Sequence, residues 1–300
     1  MMSRIRKPEA IRNAITIVAV LIASTASGVR PTRAEQLKKE TAAAFDQYIR
    51  LKEARDEQQI AGRQAFLWID TLPQPISSEM YAKLKHGQVL IRRNQDCGAS
   101  DCSAVPGGLI HDWVGVVFIP GVSLAQALRA LQDYDRDADY FHPQVLKSKL
   151  VDRSGDVFRV FLRLKQVHVI TVVLDTEYEI HYRYLDAAHA ASRSYSTRIA
   201  EVENAGEANE HDRVPGDDRG LLWRLYTYWR FYQADGGIYI QCNAVSLTRD
   251  VPTGLGWLIR PFTQSIPSES LRFTLDSTLT ALVNESRGAS VESRDAKGSK

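Results

Sequence analysis

The chain has 300 residues, of which 44% are hydrophobic and 25% are charged. This is ordinary globular composition, and it excludes a fully disordered, collagen-like or polytopic membrane protein. The formal charge is +2, but residues 1–34 hold six basic and one acidic side chain. The remaining 32 basic and 35 acidic side chains give the rest of the chain a formal charge of −3. Because no basic stripe appears there, we expect no nucleic-acid partner.

The N-terminus has the pattern of a secretory signal peptide. Residues 1–12 are positively charged, and residues 14–26 form an apolar run that ends in small residues. The run is shorter than the roughly 20 residues of a membrane-spanning helix. Cleavage after Ala34 is favoured over Ala26 because a charged, helix-like segment follows it, and an uncleaved anchor stays as the alternative. In either case the sequence predicts a periplasmic or extracellular protein.

The cysteines agree with export. Cys97 and Cys102 enclose a four-residue loop, and an oxidising compartment would permit a disulfide between them. A zinc site would need a second Cys or His pair at suitable spacing, which the sequence lacks. Cys242 lies in a strand-like run, which indicates a buried, inert thiol. We therefore expect neither a metal nor a cofactor.

The first half of the chain mixes helices and strands. A partial apolar stripe at Phe45 and Ile49 predicts an amphipathic helix, and Ser123 is a candidate N-cap for a short helix with leucines on one face. In order, we expect a helix at 35–62, a connector at 63–85, strands at 87–93 and 109–119, the short helix after Ser123, and a helical turn at 135–142.

From residue 156 the hydrophobic pattern has period two, which predicts half-buried antiparallel strands at 156–164 and 168–184. A three-residue loop at 165–167 would place Leu164 opposite His168 and keep both apolar faces on one side. A further strand is expected at 193–203, followed by a polar loop at 204–219.

Two long strands, 221–233 and 237–249, flank Asp235-Gly236, a dipeptide that favours a two-residue type I′ turn. That turn places Trp229 opposite Cys242 and Phe231 opposite Ile240, on an apolar face. The other face carries Tyr228, Arg230, Tyr232 and their partners, and such amphipathic side chains suit a solvated outer surface.

The chain is expected to close with a loop at 250–264 and a helix from Ser265–Pro267 to Asn284. Leu271, Leu275, Leu279 and Leu282 form its apolar stripe. Residues 285–300 are rich in Ser, Gly and charge, which indicates a disordered tail. The fold class is therefore α+β, with one main domain at 86–284 and an N-terminal helical extension at 35–85.

Several strings in this order resemble the START-like superfamily, also called SRPBCC or helix-grip. They are DWVGVVFIPG (112–121), QDYDRDADYFHPQV (132–145), YWRFYQADGGIYIQCNAVSLTRDVP (228–252), and GLGWLIRPF (254–262) with SIPSESLRFTL (265–275). The resemblance implies a curved antiparallel sheet wrapped around a long C-terminal helix, here with an extra N-terminal helix. It also implies a cavity that holds a lipid or another apolar molecule. The superfamily shares no universal catalytic motif, so no catalytic residue is carried over.

The inward strand faces supply candidate ligand-binding residues, because small-molecule pockets are apolar with a few placed polar groups. The apolar candidates are Leu162, Val172, Leu174, Tyr178, Trp229, Phe231, Leu271 and Leu275. The polar candidates are His168, Thr176, Thr227 and Ser246. The favoured function is an exported protein that binds, and by extension carries, a hydrophobic small molecule or lipid, with transient membrane contact.

Alternatives stay open. The same residues could fill a solid core. A cyclase- or hydrolase-type enzyme on this fold would use His168 or Tyr178 for proton transfer. An envelope protein-interaction module would dock through the helix at 35–62, with its partner unknown.

Two polar patterns have simpler explanations. Asp133, Asp135, Asp137 and Asp139 nearly match a calcium loop, but Ala138 replaces its glycine and Gln144 its glutamate, which favours a solvated acidic helix end. Arg163, Arg198, Arg224 and Arg230, together with Glu201, are expected to form ion pairs on the outer face of the sheet.

Overall fold

The computed structural model describes residues 35–62, 65–94, 104–167, 171–250 and 256–298. Contacts divide the chain after Glu35, and the second unit spans Gln36–Lys300. Its α-helices are α1 (Lys39–Gly62), α2 (Ile76–Lys85), α3 (Leu124–Leu131), α4 (Asp137–Tyr140) and α5 (Gly256–Gly298), with 3-10 turns at Trp68–Thr71 and Tyr134–Arg136.

Eight strands form one antiparallel sheet. They are β1 (Leu90–Arg93), β2 (Gly108–Pro120), β3 (Val145–Ser154), β4 (Val157–Val167), β5 (Thr171–Tyr184), β6 (His189–Glu203), β7 (Arg224–Ala234) and β8 (Gly237–Arg249). Their spatial order is β1-β2-β8-β7-β6-β5-β4-β3. Two-residue strands at Ala104–Val105 and His211–Asp212 extend it beside β2 and β6, and others lie at Glu35–Gln36 and Asp217–Asp218. The sheet does not close, so β1 and β3 lie at its two ends.

The long C-terminal helix packs on the inner face of the sheet, as a helix-grip arrangement requires. Its principal sheet contacts are with β1, β2 and β8. Leu271 and Leu275 are buried there, in a cluster that includes Val117 and Ile240. A side-chain carbon placed on Gly115 would lie 2.6 Å from Leu275 Cδ1 and 3.0 Å from Ile91 Cγ1. The helix therefore approaches β2 at a position where glycine leaves the space.

The N-terminal helix and the segment after it cover the outer face of the central strands. Phe45 and Ile49 of α1 are buried against Val245 and Leu247 of β8. Trp68 donates its backbone N–H to Gln241 Oε1 at 2.7 Å. The expectation that the face carrying Tyr228 and Arg230 is solvated is therefore wrong, because α1, the first 3-10 turn and α2 bury it. Amphipathic side chains suit a polar helix interface as well as they suit water.

Polar contacts join α1 to this face. Arg230 is buried and donates to Asp56 Oδ1 at 3.0 Å and to the Phe66 carbonyl at 2.6 Å. Glu53 Oε1 accepts from the hydroxyls of Tyr195 and Tyr228 at 2.8 and 2.9 Å. These bonds satisfy groups that would otherwise be buried without partners.

The expected outer-face ion pairs form in part. Arg163 pairs with Asp175 at 2.7 Å, and Arg198 pairs with Asp212. Arg230 pairs with Asp56, as described above. Arg224 instead donates to the Trp223 carbonyl at 2.9 Å, and the partner of Glu201 is Arg219.

The hairpin at Asp235-Gly236 has the predicted register. Trp229 faces Cys242 and Phe231 faces Ile240. Cys242 is buried and unbonded, as expected, and burial raises the pKa of its thiol.

The register of the other hairpin differs from the prediction. Leu164 faces Leu174, and Leu162 faces Thr176. The segment 165–167 continues β4 because it contains no turn-forming residue. The shift is an even number of residues, so the apolar faces stay on one side.

Four further elements differ from the expectation. The connector at 63–85 contains α2, and the segment after Pro143 forms β3, whose charged, exposed pattern is typical of an edge strand. Strand β6 begins at His189 instead of residue 193. Helix α5 begins at Gly256, within the expected loop, and runs through the expected tail to Gly298. Among the described residues, no helix is both long and apolar enough to cross a membrane.

Replacing Gly115 with alanine should lower the free energy of unfolding by about 1–3 kcal/mol, because the new methyl group overpacks the contact with Leu275 and Ile91. Urea denaturation measures this change. Gly62→Ala is the matched control, since a side-chain carbon there meets nothing within 4 Å. Equal stability of the two variants would show that α5 does not rest on β2 as described.

Candidate ligand-binding cavity

A cavity of about 240 Å³ lies between the inner face of the sheet and α5. Because α5 rests mainly on β1, β2 and β8, strands β4 to β7 form the opposite wall. The segment from α3 to β3 supplies one end. The lining residues are Leu131, Tyr134, Asp137, Phe141, Gln144, Val145, Val160, Leu162, Leu164, Gln166, Tyr178, Ile180, Tyr182, Ser192, Ser194, Leu225, Thr227, Trp229, Phe231, Ser270, Phe273 and Thr274.

Five of the candidate residues line this cavity: Leu162, Tyr178, Thr227, Trp229 and Phe231. The rings of Trp229 and Phe231 are nearly parallel, with centroids 6.3 Å apart. Trp229 Nε1 donates to Thr227 Oγ1 at 3.1 Å, so this indole is satisfied within the wall. The structure therefore brings together candidates from three different strands.

Other candidates lie elsewhere. Val172 and Leu174 pack with Ile199 in a separate apolar cluster. Thr176 is fully buried and donates to the Leu162 carbonyl at 2.8 Å. These three side chains do not line the cavity.

Leu271 and Leu275 fill the contact between α5 and the sheet. Ser246 is buried on β8 opposite His111 of β2. His168, Cys97 and Cys102 lie outside the described residues, so the proposed roles of all three stay predictions.

Sequence reasoning missed the small side chains that leave the cavity open. A register shift between Glu177 and Tyr178 on β5 places Ser196 opposite Tyr178 and Ser194 opposite Ile180. Ser192 and Ser194 therefore face the bulky side chains of β5 and line the cavity. The alternation of serine at 192, 194 and 196 was readable in the sequence, but the bulge that sets its direction was not.

Two tyrosines form a polar contact in the wall. The hydroxyls of Tyr134 and Tyr182 lie 2.8 Å apart, and both rings pack edge-on against buried Phe158. Burial raises the pKa of both phenols, so they are neutral hydrogen-bonding groups at physiological pH. Burial likewise raises the pKa of Tyr178 to about 12.

Asp137 is the exceptional lining residue. It begins α4 and is only 7% exposed. Within the described ranges its carboxyl has no hydrogen bond or ion pair, although it lies close enough to Tyr134 and Tyr182 to raise their pKa values. Burial, followed by the nearby charge of Asp133, raises the pKa of Asp137 to about 8. This carboxyl is therefore largely protonated at pH 7.

The acidic run does not gather around one point. Asp133 and Asp135 are exposed, whereas Asp137 faces the interior. Asp135 Oδ1 accepts from the backbone N–H of Leu150 at 2.8 Å. In the described parts of the chain, no three carboxylate, histidine or cysteine side chains assemble as a metal site.

The buried carboxyl should make stability depend on pH. Because folding raises the pKa of Asp137 from 3.8 to about 8, its contribution to stability is present below the lower value and is lost as pH rises through the upper one. The free energy of unfolding of Asp137→Asn should therefore rise relative to that of the parent as pH rises. The expected rise is about 1.4 kcal/mol for each pH unit between 3.8 and about 8. Chemical denaturation at a series of pH values measures it.

Asp139→Asn is the control, because Asp139 lies on the same helix and is exposed. It shows the effect of removing a carboxylate from the exposed side of the helix. A difference for Asp137→Asn that does not grow with pH would show that burial does not raise the pKa of Asp137.

No family model matches the chain, and no curated protein matches it. Solved structures that match part of the chain include the three that follow. A protein from Thermus thermophilus shares 14% identity over 57% of this chain and 97% of its own, with a TM-score of 0.43. A fragment of the STAR-related lipid transfer protein from Xanthomonas axonopodis shares 14% identity over 66% and 98%, with a TM-score of 0.41.

The Zhui aromatase/cyclase from a Streptomyces species shares 15% identity over 59% of this chain and 94% of its own, with a TM-score of 0.39. The antiparallel sheet and the C-terminal helix described above form an α+β, helix-grip arrangement.

Proposed function

We propose that this protein binds one small apolar molecule, such as a single-chain lipid, in the cavity between the sheet and α5. The observation that carries the proposal is the cavity itself, whose wall surface is mostly apolar, with serine, threonine, glutamine and tyrosine side chains among the lining residues. Apolar surface that meets an apolar ligand leaves water, and this supplies the free energy of binding. The proposal extends to transport, in which the protein carries the ligand and contacts a membrane transiently.

The size of the cavity limits the ligand. The cavity volume is about 240 Å³. Typical sites for drug-sized ligands are about 300–1,000 Å³. The cavity therefore suits a small molecule or one short chain, and a lipid with two long chains would have to widen it.

Binding is favoured over catalysis by the state of the tyrosines. A pKa of about 12 leaves Tyr178 protonated, and in the described residues no base contacts it. An enzyme of the cyclase or hydrolase kind is the second candidate, and Asp137 is the observation that favours it, because a carboxyl with a pKa near neutrality is suited to general acid catalysis.

A docking role for α1 has less support. The apolar side of this helix, with Phe45 and Ile49, is buried on the sheet. A partner would have to displace it or bind its polar side.

Filling the cavity should abolish binding without unfolding the protein. Ser194 is buried on the cavity wall, so Ser194→Leu places an isobutyl group in the ligand's space. We expect at least a tenfold loss of affinity for 1-octanol, measured by calorimetric titration. Ser154→Leu is the control, since Ser154 lies at the exposed end of β3. Unchanged affinity in a folded Ser194→Leu variant would place the ligand elsewhere.

Export forms part of the same proposal and rests on residues 1–34 alone. Fused to alkaline phosphatase, which is active only after export, these residues should give activity in bacterial cells. Replacing Val18 and Leu21 with arginine interrupts the apolar run and should abolish that activity. Activity that survives this change, or none from the parent fusion, would contradict export by this segment.

A further inference from the structure

One lining residue breaks the rule for buried polar groups. Asp137 is nine-tenths buried, lines the cavity, and has no hydrogen bond or ion pair with another described residue. A polar group that faces the cavity without a protein partner costs about 1–3 kcal/mol once an apolar occupant excludes water from it. Since an apolar side chain there would avoid that cost, the position of Asp137 points to a ligand that supplies the missing partner.

Several other polar groups of the cavity wall have partners of their own. The Tyr134 and Tyr182 hydroxyls bond to each other, and Thr227 accepts from Trp229. Thr274 donates to the Ser270 carbonyl within α5 at 2.9 Å. Asp137 is therefore the acidic residue of the described cavity wall, and its carboxyl has no hydrogen bond or ion pair there.

The surrounding charges do not stabilise an ionised Asp137. The titratable and charged side chains on its own and the neighbouring elements include Asp133, Tyr134, Asp135, Arg136, Asp139, Tyr140, His142, Lys147, Lys149, Tyr182 and Glu285. Arg136 is engaged with Glu285 at 2.6 Å, as is the Tyr140 hydroxyl. Lys147 and Lys149 are exposed on β3, and Asp133 repels a second negative charge. The low dielectric of the cavity therefore favours the neutral acid.

We propose that the neutral carboxylic acid of Asp137 donates a hydrogen bond to an uncharged oxygen of the ligand, a hydroxyl or a carbonyl. This rests on the proposed function and narrows its ligand class to an apolar molecule with one uncharged oxygen-bearing end. A carboxylate ligand would have to be buried without a cation to pair with it. An ammonium ligand would require ionised Asp137, and burying both charges costs more than one ion pair returns unless further hydrogen bonds are made.

The test compares three probes of equal chain length: 1-octanol, octanoate and octylamine. Calorimetric titration at pH 7 should give the tightest binding for 1-octanol. Asp137→Leu, which keeps the approximate shape and removes the donor, should weaken octanol binding about tenfold. Asp137→Asn keeps a donor and should bind octanol within about threefold of the parent. Asp139→Leu, on the exposed side of the same helix, should have no effect.

The pH dependence gives a second readout. Octanol affinity of the parent should fall as pH rises above about 8, where Asp137 loses its proton. The Asp137→Asn variant should show no such fall. Circular dichroism of both proteins at each pH separates this fall in affinity from a loss of folding, which ionisation of Asp137 also favours.

The outcomes separate the two proposals. If none of the three probes binds the parent, or if Ser194→Leu leaves binding unchanged, the proposed function fails. If octanol binds but Asp137→Leu leaves its affinity unchanged, the cavity function stands and the role of Asp137 is overturned. Tightest binding of octylamine, lost in Asp137→Asn, would also overturn it and assign an ammonium ligand instead.

Discussion

The close approach of α5 to β2 determines the rest of the interior. Leu275 is fully buried and lies over Gly115. A side-chain carbon placed on Gly115 would also lie 3.2 Å from the backbone oxygen of Leu90 on β1. A helix held this near one side of a curved sheet cannot also fill the concavity on the other side. Strands β4 to β7 carry long side chains inward, but the serines of β6 leave space between them. The cavity therefore follows from where the helix rests and from which side chains are small.

The outer face supports this geometry. The outer side of the sheet adds to the stability of the inner side, because α1 and the following 3-10 turn bury apolar and polar groups there. Arg230 is held at once by Asp56 and the Phe66 carbonyl. The same strand, β7, carries Trp229 and Phe231 on its inner face. Fixing β7 from outside thus fixes two cavity residues without filling the cavity.

Local patterns predicted much of this structure, because strand alternation and turn chemistry act over a few residues. The Asp235-Gly236 hairpin followed from its two turn residues, and the inward placement of Tyr178, Trp229 and Phe231 followed from alternation. Features set by distant contacts were not predictable this way. The burial of Tyr228 and Arg230 depends on α1, which contacts them from 175 and 174 residues away in the chain. A bulge beside Tyr178 sets which residues of β6 face inward.

Asp137 shows most clearly why a site can be hidden in a sequence. Aspartates at every second position from 133 to 139 indicate a solvated segment, and three of the four are exposed. A 3-10 turn followed directly by a single turn of helix turns the remaining one, Asp137, toward the cavity. Composition and spacing are the same for all four, so only the backbone path distinguishes them. The same burial that raises the pKa of this one carboxyl leaves it facing the cavity with no partner in the described protein, and a ligand that brings its own oxygen would supply one.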